Sequence, residues 1–449
     1  MYDTNRVGRL AGPVFFGLFL GCYALESLMR FLVLMVLCLY ASFQVHAAEF
    51  DIYQSTYKPL QVAFVLDTGA VEENKHKLVY GVVENDLAST QSFTAIDPLA
   101  FLSDFQESWQ RVEYGDWRII GADILALCKL SETATGWSAE VRVYDPFRSK
   151  PLLELTLEGS RQGVRRLAHR IADQIYSAAL GVPGYFTSHV LYVTKRGDAS
   201  DLVYMDQDGA NKQEVGKNFT LLLSPDWSPD GKQVALNTYV GNHPRLEFFD
   251  LRTGARKAFG DFKGLNSTPE FSPDGRYVAA TLSHTGNTDI HIYDIKLAKW
   301  SRFTSHKGID TTPTWSPDGQ WIAFVSNRSG RPQVYRKRVS GGKVLLVSTQ
   351  GSYNTSPAWS PTGDRIAMIS LKNWSYAVAT VRPDGKDIRY LTSGKRVESP
   401  SWAPNGQMLL FSAETHGMRR VYRVPSWGGR AEPITSPAVD ASDPAWSRH

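Results

Sequence analysis

Cysteine is nearly absent from this chain of 449 residues: it has only Cys22, Cys38 and Cys128, the first two inside N-terminal apolar segments. No disulfide framework can be built from the single thiol that a processed chain would keep. Cys128 lies in the apolar run Ile124-Leu125-Ala126-Leu127-Cys128, the setting of an inert buried thiol and not of a nucleophile. Charge of one sign is also lacking, since 49 basic and 45 acidic residues leave only +4. Such a balance excludes the basic footprint of a nucleic-acid binder and suits a surface that meets proteins. The sequence contains no Gly-x-Ser-x-Gly elbow, no His-Glu-x-x-His, no paired Cys-x-x-Cys and no Gly-x-x-x-x-Gly-Lys-Ser/Thr loop. Nothing therefore points to a hydrolase, a zinc peptidase or a nucleotide phosphate site. Asp206-Gln207-Asp208-Gly209 lacks the twelve-residue loop ending in Glu that an EF-hand needs, and reads as a turn. We expect no catalytic residues, no metal and no cofactor.

Long apolar runs are missing too. The N-terminal stretches 14–25 and 31–43 are separated by Glu26 and Arg30, and neither reaches the roughly 18–20 residues that cross a bilayer. The second stretch ends in Val45-His46-Ala47-Ala48, where a signal peptidase would cut. Residues 1–48 thus read as a signal-peptide region, with Met29-Arg30 as the start of ordinary layout. The expected mature chain is exported and has no stable membrane insertion.

What the sequence does contain is a period. Trp227, Phe271, Trp315, Trp359, Trp402 and Trp446 are spaced 44, 44, 44, 43 and 44 residues apart. The first four open Ser228-Pro229-Asp230-Gly231, Ser272-Pro273-Asp274-Gly275, Ser316-Pro317-Asp318-Gly319 and Ser360-Pro361-Thr362-Gly363, and Trp402 opens Ala403-Pro404-Asn405-Gly406. Pro sets φ at the second turn position, Asp or Asn bonds back to its own backbone, and Gly accepts positive φ. Each copy is a hairpin corner followed by a short apolar strand, as in Val234-Ala235-Leu236 or Ile322-Ala323-Phe324. A repeat of this length predicts β-propeller blades.

Trp446 has no hairpin partner after it, whereas residues 189–193 and 201–205 look like the two strands that follow such a turn. Joining the last strand to these first ones predicts six blades over residues 185–449, a closure that removes an exposed edge. An open solenoid would leave that complementarity without a purpose. Residues 49–183 lack the period and alternate helical and strand patterns, which predicts a separate α/β domain. Its last helix, ending at Gly181 with Pro183 beyond, carries Arg165, Arg166, His169, Arg170 and Asp173 mainly on the face away from its apolar stripe. That face reads as solvated. The segments preceding the Trp strands, from Leu265-Asn266-Ser267-Thr268-Pro269 through Asp440-Ala441-Ser442-Asp443-Pro444, form a polar ring that reads as a binding face.

Together these features resemble the TolB family, periplasmic propeller proteins of the Tol-Pal envelope system. The likeness is strongest in Gly330-Arg331-Pro332-Gln333-Val334-Tyr335, in residues 312–319 and in Leu167-Ala168-His169-Arg170-Ile171-Ala172-Asp173. It implies a periplasmic, monomeric adaptor without catalytic activity that maintains outer-membrane integrity and supports envelope constriction at division. Its implied partners are the peptidoglycan-associated lipoprotein Pal and the inner-membrane protein TolA. Carried onto this chain, the Pal-facing positions are Leu265, Asn266, Thr268, Asp310, Thr312, Asn354, Thr355 and Glu398. The TolA-contacting segment is Glu49-Phe50-Asp51-Ile52-Tyr53. The competing expectations are a secreted lyase or peptidase built on the propeller, which would need His, Arg or carboxylates clustered in the channel, and an adaptor for another envelope partner.

Overall fold

The computed structural model describes residues 58–67, 69 and 71–448. The expected signal region and the segment Glu49–Tyr53 lie outside the described residues. Among the described residues no helix is long and apolar enough to cross a membrane.

The N-terminal part is built around a five-stranded sheet. Its elements are β1 (Leu60–Leu66), α1 (Glu73–Ser89), β2 (Phe93–Ala95), α2 (Phe105–Gln110), α3 (Tyr114–Ile119), β3 (Ile124–Glu132), β4 (Gly136–Asp145), β5 (Lys150–Ser160) and α4 (Val164–Leu180). The strand order is β2-β1-β3-β4-β5, parallel through β1 and its two neighbours and antiparallel beyond. Alternation along β3 explains why both faces are covered. Ile124, Ala126 and Cys128 belong to the cluster that includes α1 and α4, while Leu125 and Leu127 join Trp117 of α3. Helix α2 starts at a capping box in which Asp104 accepts from the Glu107 N–H and Glu107 accepts from the Asp104 N–H. The two short helices α2 and α3 escaped the periodicity reading, because six residues are too few to display a face.

Helix α4 ends as its sequence indicates, with Gly181 left-handed at φ 72°. Its polar face differs from the solvated surface expected. His169 is 3% exposed and its Nδ1 lies 2.6 Å from Asp86 of α1, Arg165 pairs with Asp208, and the Asp173 carboxylate accepts from the Phe186 N–H at 2.7 Å. The reason is tertiary, since the chain beyond Pro183 folds back over that face. The apolar cluster continues through Tyr185, Phe186 and Val190 to Trp446.

The other strands form four four-stranded sheets and one of seven strands. A representative sheet runs Asn266–Phe271, Tyr277–Leu282, Asp289–Asp294, Lys299–Arg302, each strand antiparallel to the next. The seven-stranded sheet contains two such units joined by the long strand Arg389–Trp402, which pairs with Ser375–Val381 in its first half and Met408–Thr415 in its second. The strand Ala441–Trp446 pairs with His189–Arg196, so it completes the sheet that the first strands after the α/β region start. First strands of neighbouring units touch in the order Trp227, Phe271, Trp315, Trp359, Trp402, Trp446, and the last touches the first.

Serine completes the hairpin corners. At Ser228 the hydroxyl donates to Asp230 at 2.7 Å and accepts from the Gln233 N–H at 2.9 Å, while Gly231 sits at φ 69°. Ser272 and Ser316 repeat this pair of contacts. Each corner thereby satisfies the polar groups that a tight turn would otherwise leave open.

Candidate binding face and channel

The first strands of the propeller sheets surround a cavity of about 420 Å³. Its wall repeats one local motif. Ser224, Thr268, Thr312, Ser356, Ser399 and Asp443 each precede a proline and each has a positive φ, between 46° and 53°. A left-handed residue without glycine is uncommon, and its recurrence at equivalent positions marks a backbone held by its surroundings. At each site the pairing with the second strand shifts register, as between Ser267 and Glu270 or Thr311 and Thr314. Such a bulge re-aims a side chain. All six residues line the cavity.

The residue after each proline ties one unit to the next. Asp226 accepts from the Phe271 N–H at 2.7 Å, Glu270 from the Trp315 N–H at 2.8 Å, Thr314 from the Trp359 N–H at 3.1 Å and Ser401 from the Trp446 N–H at 2.9 Å. Where alanine occupies this position, its carbonyl serves: Ala445 O accepts from Trp227 Nε1 at 3.0 Å, and Ala358 O from Trp402 Nε1 at 2.9 Å. The aromatic period is thus both a packing device and a lateral hydrogen-bond relay.

These observations separate the sequence-predicted residues into groups. Thr268 and Thr312 face the cavity. Asn266, Asp310 and Asn354, two positions earlier, are fully buried and hold the preceding segments. Asn266 Nδ2 donates to the carbonyls of Phe262 at 2.6 Å and Pro244 at 3.1 Å, and Asn354 Nδ2 donates to Gln333 and to the Gln350 carbonyl. Asp310 accepts twice from Arg328 Nη2, at 3.0 Å each. Leu265 and Thr355 are half-buried outside the cavity lining, and Glu398 is exposed beside it. Although Glu398 as a whole is exposed, its carboxyl is partly enclosed, and this desolvation, followed by the charge of Asp443, pushes it up. Ser224, Ser356, Ser399 and Asp443 complete the ring and were not singled out as individual site residues, although each occupies the same place before proline.

One side of the cavity is charged. Arg448 reaches back from the C-terminal segment, its Nη2 2.9 Å from the Phe271 carbonyl and 3.5 Å from Asp226. Burial and then the neighbouring Asp226 carboxylate push Glu270 up to about 8, and burial also raises Asp226. A carboxyl raised in the folded state binds its proton more tightly there than in the unfolded chain, so it favours folding in acid and loses that contribution as pH rises through the folded value. Glu270→Gln keeps an acceptor for the Trp315 N–H and removes the titration. Its stability should match that of the parent near pH 5 and exceed it increasingly towards pH 8, levelling off above. Urea unfolding at pH 5 and pH 9 checks this; an equal difference at both would show that Glu270 does not titrate as stated.

The described residues bring together one group with the spacing of a metal site, Asp86, His169 and Asp208, whose ligand atoms lie within 4.8 Å of one another. It is already compensated. Asp86 meets His169 and the Gln207 amide, and Asp208 meets Arg165. Burial pushes Asp86 up to about 6, and although burial alone would lower His169, its contacts with Asp86 raise it. This is the geometry of an internal polar tie between α1, α4 and the turn at Asp208.

An α/β region leading into a β-propeller, with a ring of short polar side chains at its cavity, defines the class of protein. The chain belongs to the TolB family: residues 176–449 match the TolB β-propeller domain and residues 48–152 the TolB amino-terminal domain. It resembles the solved TolB of Acinetobacter baumannii, with a TM-score of 0.80 and 29% identity over 89% of this chain and 99% of that one. Among curated relatives, the Tol-Pal system protein TolB of Paramagnetospirillum magneticum is 34% identical over 249 residues, 54% of this chain and 56% of the relative. That of Chromobacterium violaceum is 37% identical over 191 residues, 41% and 44%. The matched region therefore spans about half the length of these curated relatives.

Proposed function

We propose that this chain is a periplasmic, non-enzymatic adaptor of a Tol-Pal system, binding a Pal-type lipoprotein at the channel mouth and a TolA-type protein through residues 49–53. In this reading residues 49–183 and 185–449 are its two mature domains, and the propeller has six blades closed by the C-terminal strand. The cyclic order of first-strand contacts and the pairing of Ala441–Trp446 with His189–Arg196 support that count. The observation that carries the function is the ring of six left-handed Ser, Thr and Asp residues. A preformed backbone that turns short polar groups towards one opening suits reversible recognition with little ordering cost. Linking a peptidoglycan-bound lipoprotein to an inner-membrane complex would give it a part in outer-membrane integrity and in envelope constriction at division.

Titration calorimetry of the chain from Ala48 onward against a Pal periplasmic domain tests this. Saturable binding is expected, weakened at least about 100-fold by Thr312→Arg, which places a long cation in the ring at roughly 2.7 kcal/mol. Unchanged affinity in Thr312→Arg would reject this face, and no binding by the folded parent would reject the partner. Asn266 is unsuitable as a probe, since it is fully buried and its side chain holds the carbonyls of Phe262 and Pro244, so a substitution there should disturb the fold as well as the face.

A further inference from the structure

The basic residues are not evenly spread. Between residues 319 and 363 there is no acidic residue, and six are basic. Extending the stretch to residue 396 gives thirteen basic and three acidic residues, a net charge of +10 within a chain whose total is +4. Part of this excess converges on a second crevice, of about 490 Å³, which shares no lining residue with the channel and lies between the strand Gln333–Arg338 of one sheet and the corner 363–365 and hairpin 382–389 of the next.

Four guanidinium groups line the crevice, those of Arg336, Arg365, Arg382 and Arg389. Two of them are committed. Arg365 is 7% exposed and bonds Thr380 and Asp387, and Arg389 also bonds Asp387, with its Nη2 2.7 Å from Oδ2. The carboxylates are committed as well. Asp387 takes both of those arginines, Asp364 accepts from the hydroxyls of Ser360 and Thr362, and Asp384 accepts from the Lys386 N–H at 3.1 Å. Arg336 is different. Its guanidinium carbon sits over the Trp321 ring, 4.5 Å from the centroid, as that of Arg338 does at 4.6 Å, yet the Arg336 Nε is buried without a hydrogen-bond partner. Arg382, exposed, makes no side-chain hydrogen bond or ion pair with any described residue. Burial pushes the Arg336 guanidinium down from its ordinary value, against the pull of the Asp384 carboxylate.

A buried donor left unpaired costs free energy, and a guanidinium fixed by stacking on an indole is pre-organised to receive a planar or tetrahedral oxyanion. We propose that this crevice is a binding site for a phosphoryl group, received by Arg336 and Arg382 with Trp321 as the platform that orients Arg336. A phosphoryl group is favoured over a carboxylate because the three aspartates of the lining are already hydrogen-bonded, whereas Arg336 and Arg382 leave two guanidinium groups for a ligand with several anionic oxygens. The proposal is independent of the channel and its partner.

The test uses the whole mature chain at constant ionic strength near pH 7, with inorganic phosphate as probe, acetate as the monovalent control, and tryptophan fluorescence and thermal unfolding as readouts. Phosphate should give a saturable change in both readouts that acetate does not. Arg336→Gln should weaken binding at least about tenfold, with partial recovery in Arg336→Lys. Arg382→Gln, altering an exposed residue, keeps the test decisive if Arg336→Gln fails to fold, and should weaken binding as well. Equal responses to phosphate and acetate, or full phosphate binding in both Gln variants, would overturn the proposal. Sedimentation with phosphatidylcholine vesicles, with and without phosphatidylglycerol, separates the two sources of the group. Pelleting that needs phosphatidylglycerol and Arg336 assigns a lipid headgroup, whereas phosphate binding without pelleting assigns a free phosphate compound.

Discussion

Trp446→Ala should destabilise the folded chain by about 4 kcal/mol, the middle of the range for removing a large buried aromatic. Trp446 is 5% exposed and belongs to the cluster in which the α/β region and the propeller meet. Its ring stands edge-on to Tyr185 at 5.4 Å, and its Nε1 donates to Ser188 Oγ at 2.7 Å. Its own N–H donates to Ser401 Oγ at 2.9 Å, so one residue joins the last strand, the first propeller strands and the neighbouring unit. Truncation leaves a cavity that none of these three can fill alone. Trp374, 97% exposed, supplies the control: Trp374→Ala should change stability by less than about 0.5 kcal/mol. Urea midpoints of the two variants check the pair, and a cost below about 1 kcal/mol for Trp446→Ala would refute this role for the last strand.

The second large effect is expected at Asp310. Its carboxylate is fully buried, and Arg328 spans it while stacking near Phe324 and Tyr335 and bonding Ser326 Oγ at 2.8 Å. Asp310→Ala strands the guanidinium. Breaking a buried pair by removing one partner typically costs 3–5 kcal/mol, and because the Arg328 side chain keeps 16% exposure we expect about 3 kcal/mol. Replacing both partners, as in Asp310→Ala with Arg328→Met, should recover much of the loss, because no uncompensated charge is left inside. A double mutant no more stable than Asp310→Ala would show that Arg328 contributes through its packing and not through its charge. Either outcome concerns the scaffold of the ring. An effect on partner binding beyond the loss of folded protein is not expected, since the carboxylate has no exposed surface.

Asp310 also shows how far the sequence can be read. Asn266, Asp310 and Asn354 stand at equivalent places in a repeating polar segment, and by composition they resemble Thr268 and Thr312 two residues later. In the fold the first group turns inward to hold the segment and the second lines the cavity, because a bulge before each proline rotates the backbone between them. A register shift of this kind has no signature in polarity. The same holds for α4, where a charged face looks solvated until Phe186 and Asp208 fold over it.

The sequence by itself determined the propeller, because turn chemistry and an aromatic every 44 residues are local properties repeated often enough to leave little ambiguity. It indicated as well that residues 189–193 and 201–205 complement the strand that ends at Trp446, the pairing seen in the fold. Only the tertiary structure decided which polar residues face the cavity, that Glu270 and Asp226 share one wall with Arg448, and that the Arg336 Nε is buried without a hydrogen-bond partner in a crevice between two sheets. Those outcomes depend on burial and on contacts between residues tens to hundreds of positions apart, and the free energy of a charge is set by its surroundings, which the order of residues along the chain does not contain.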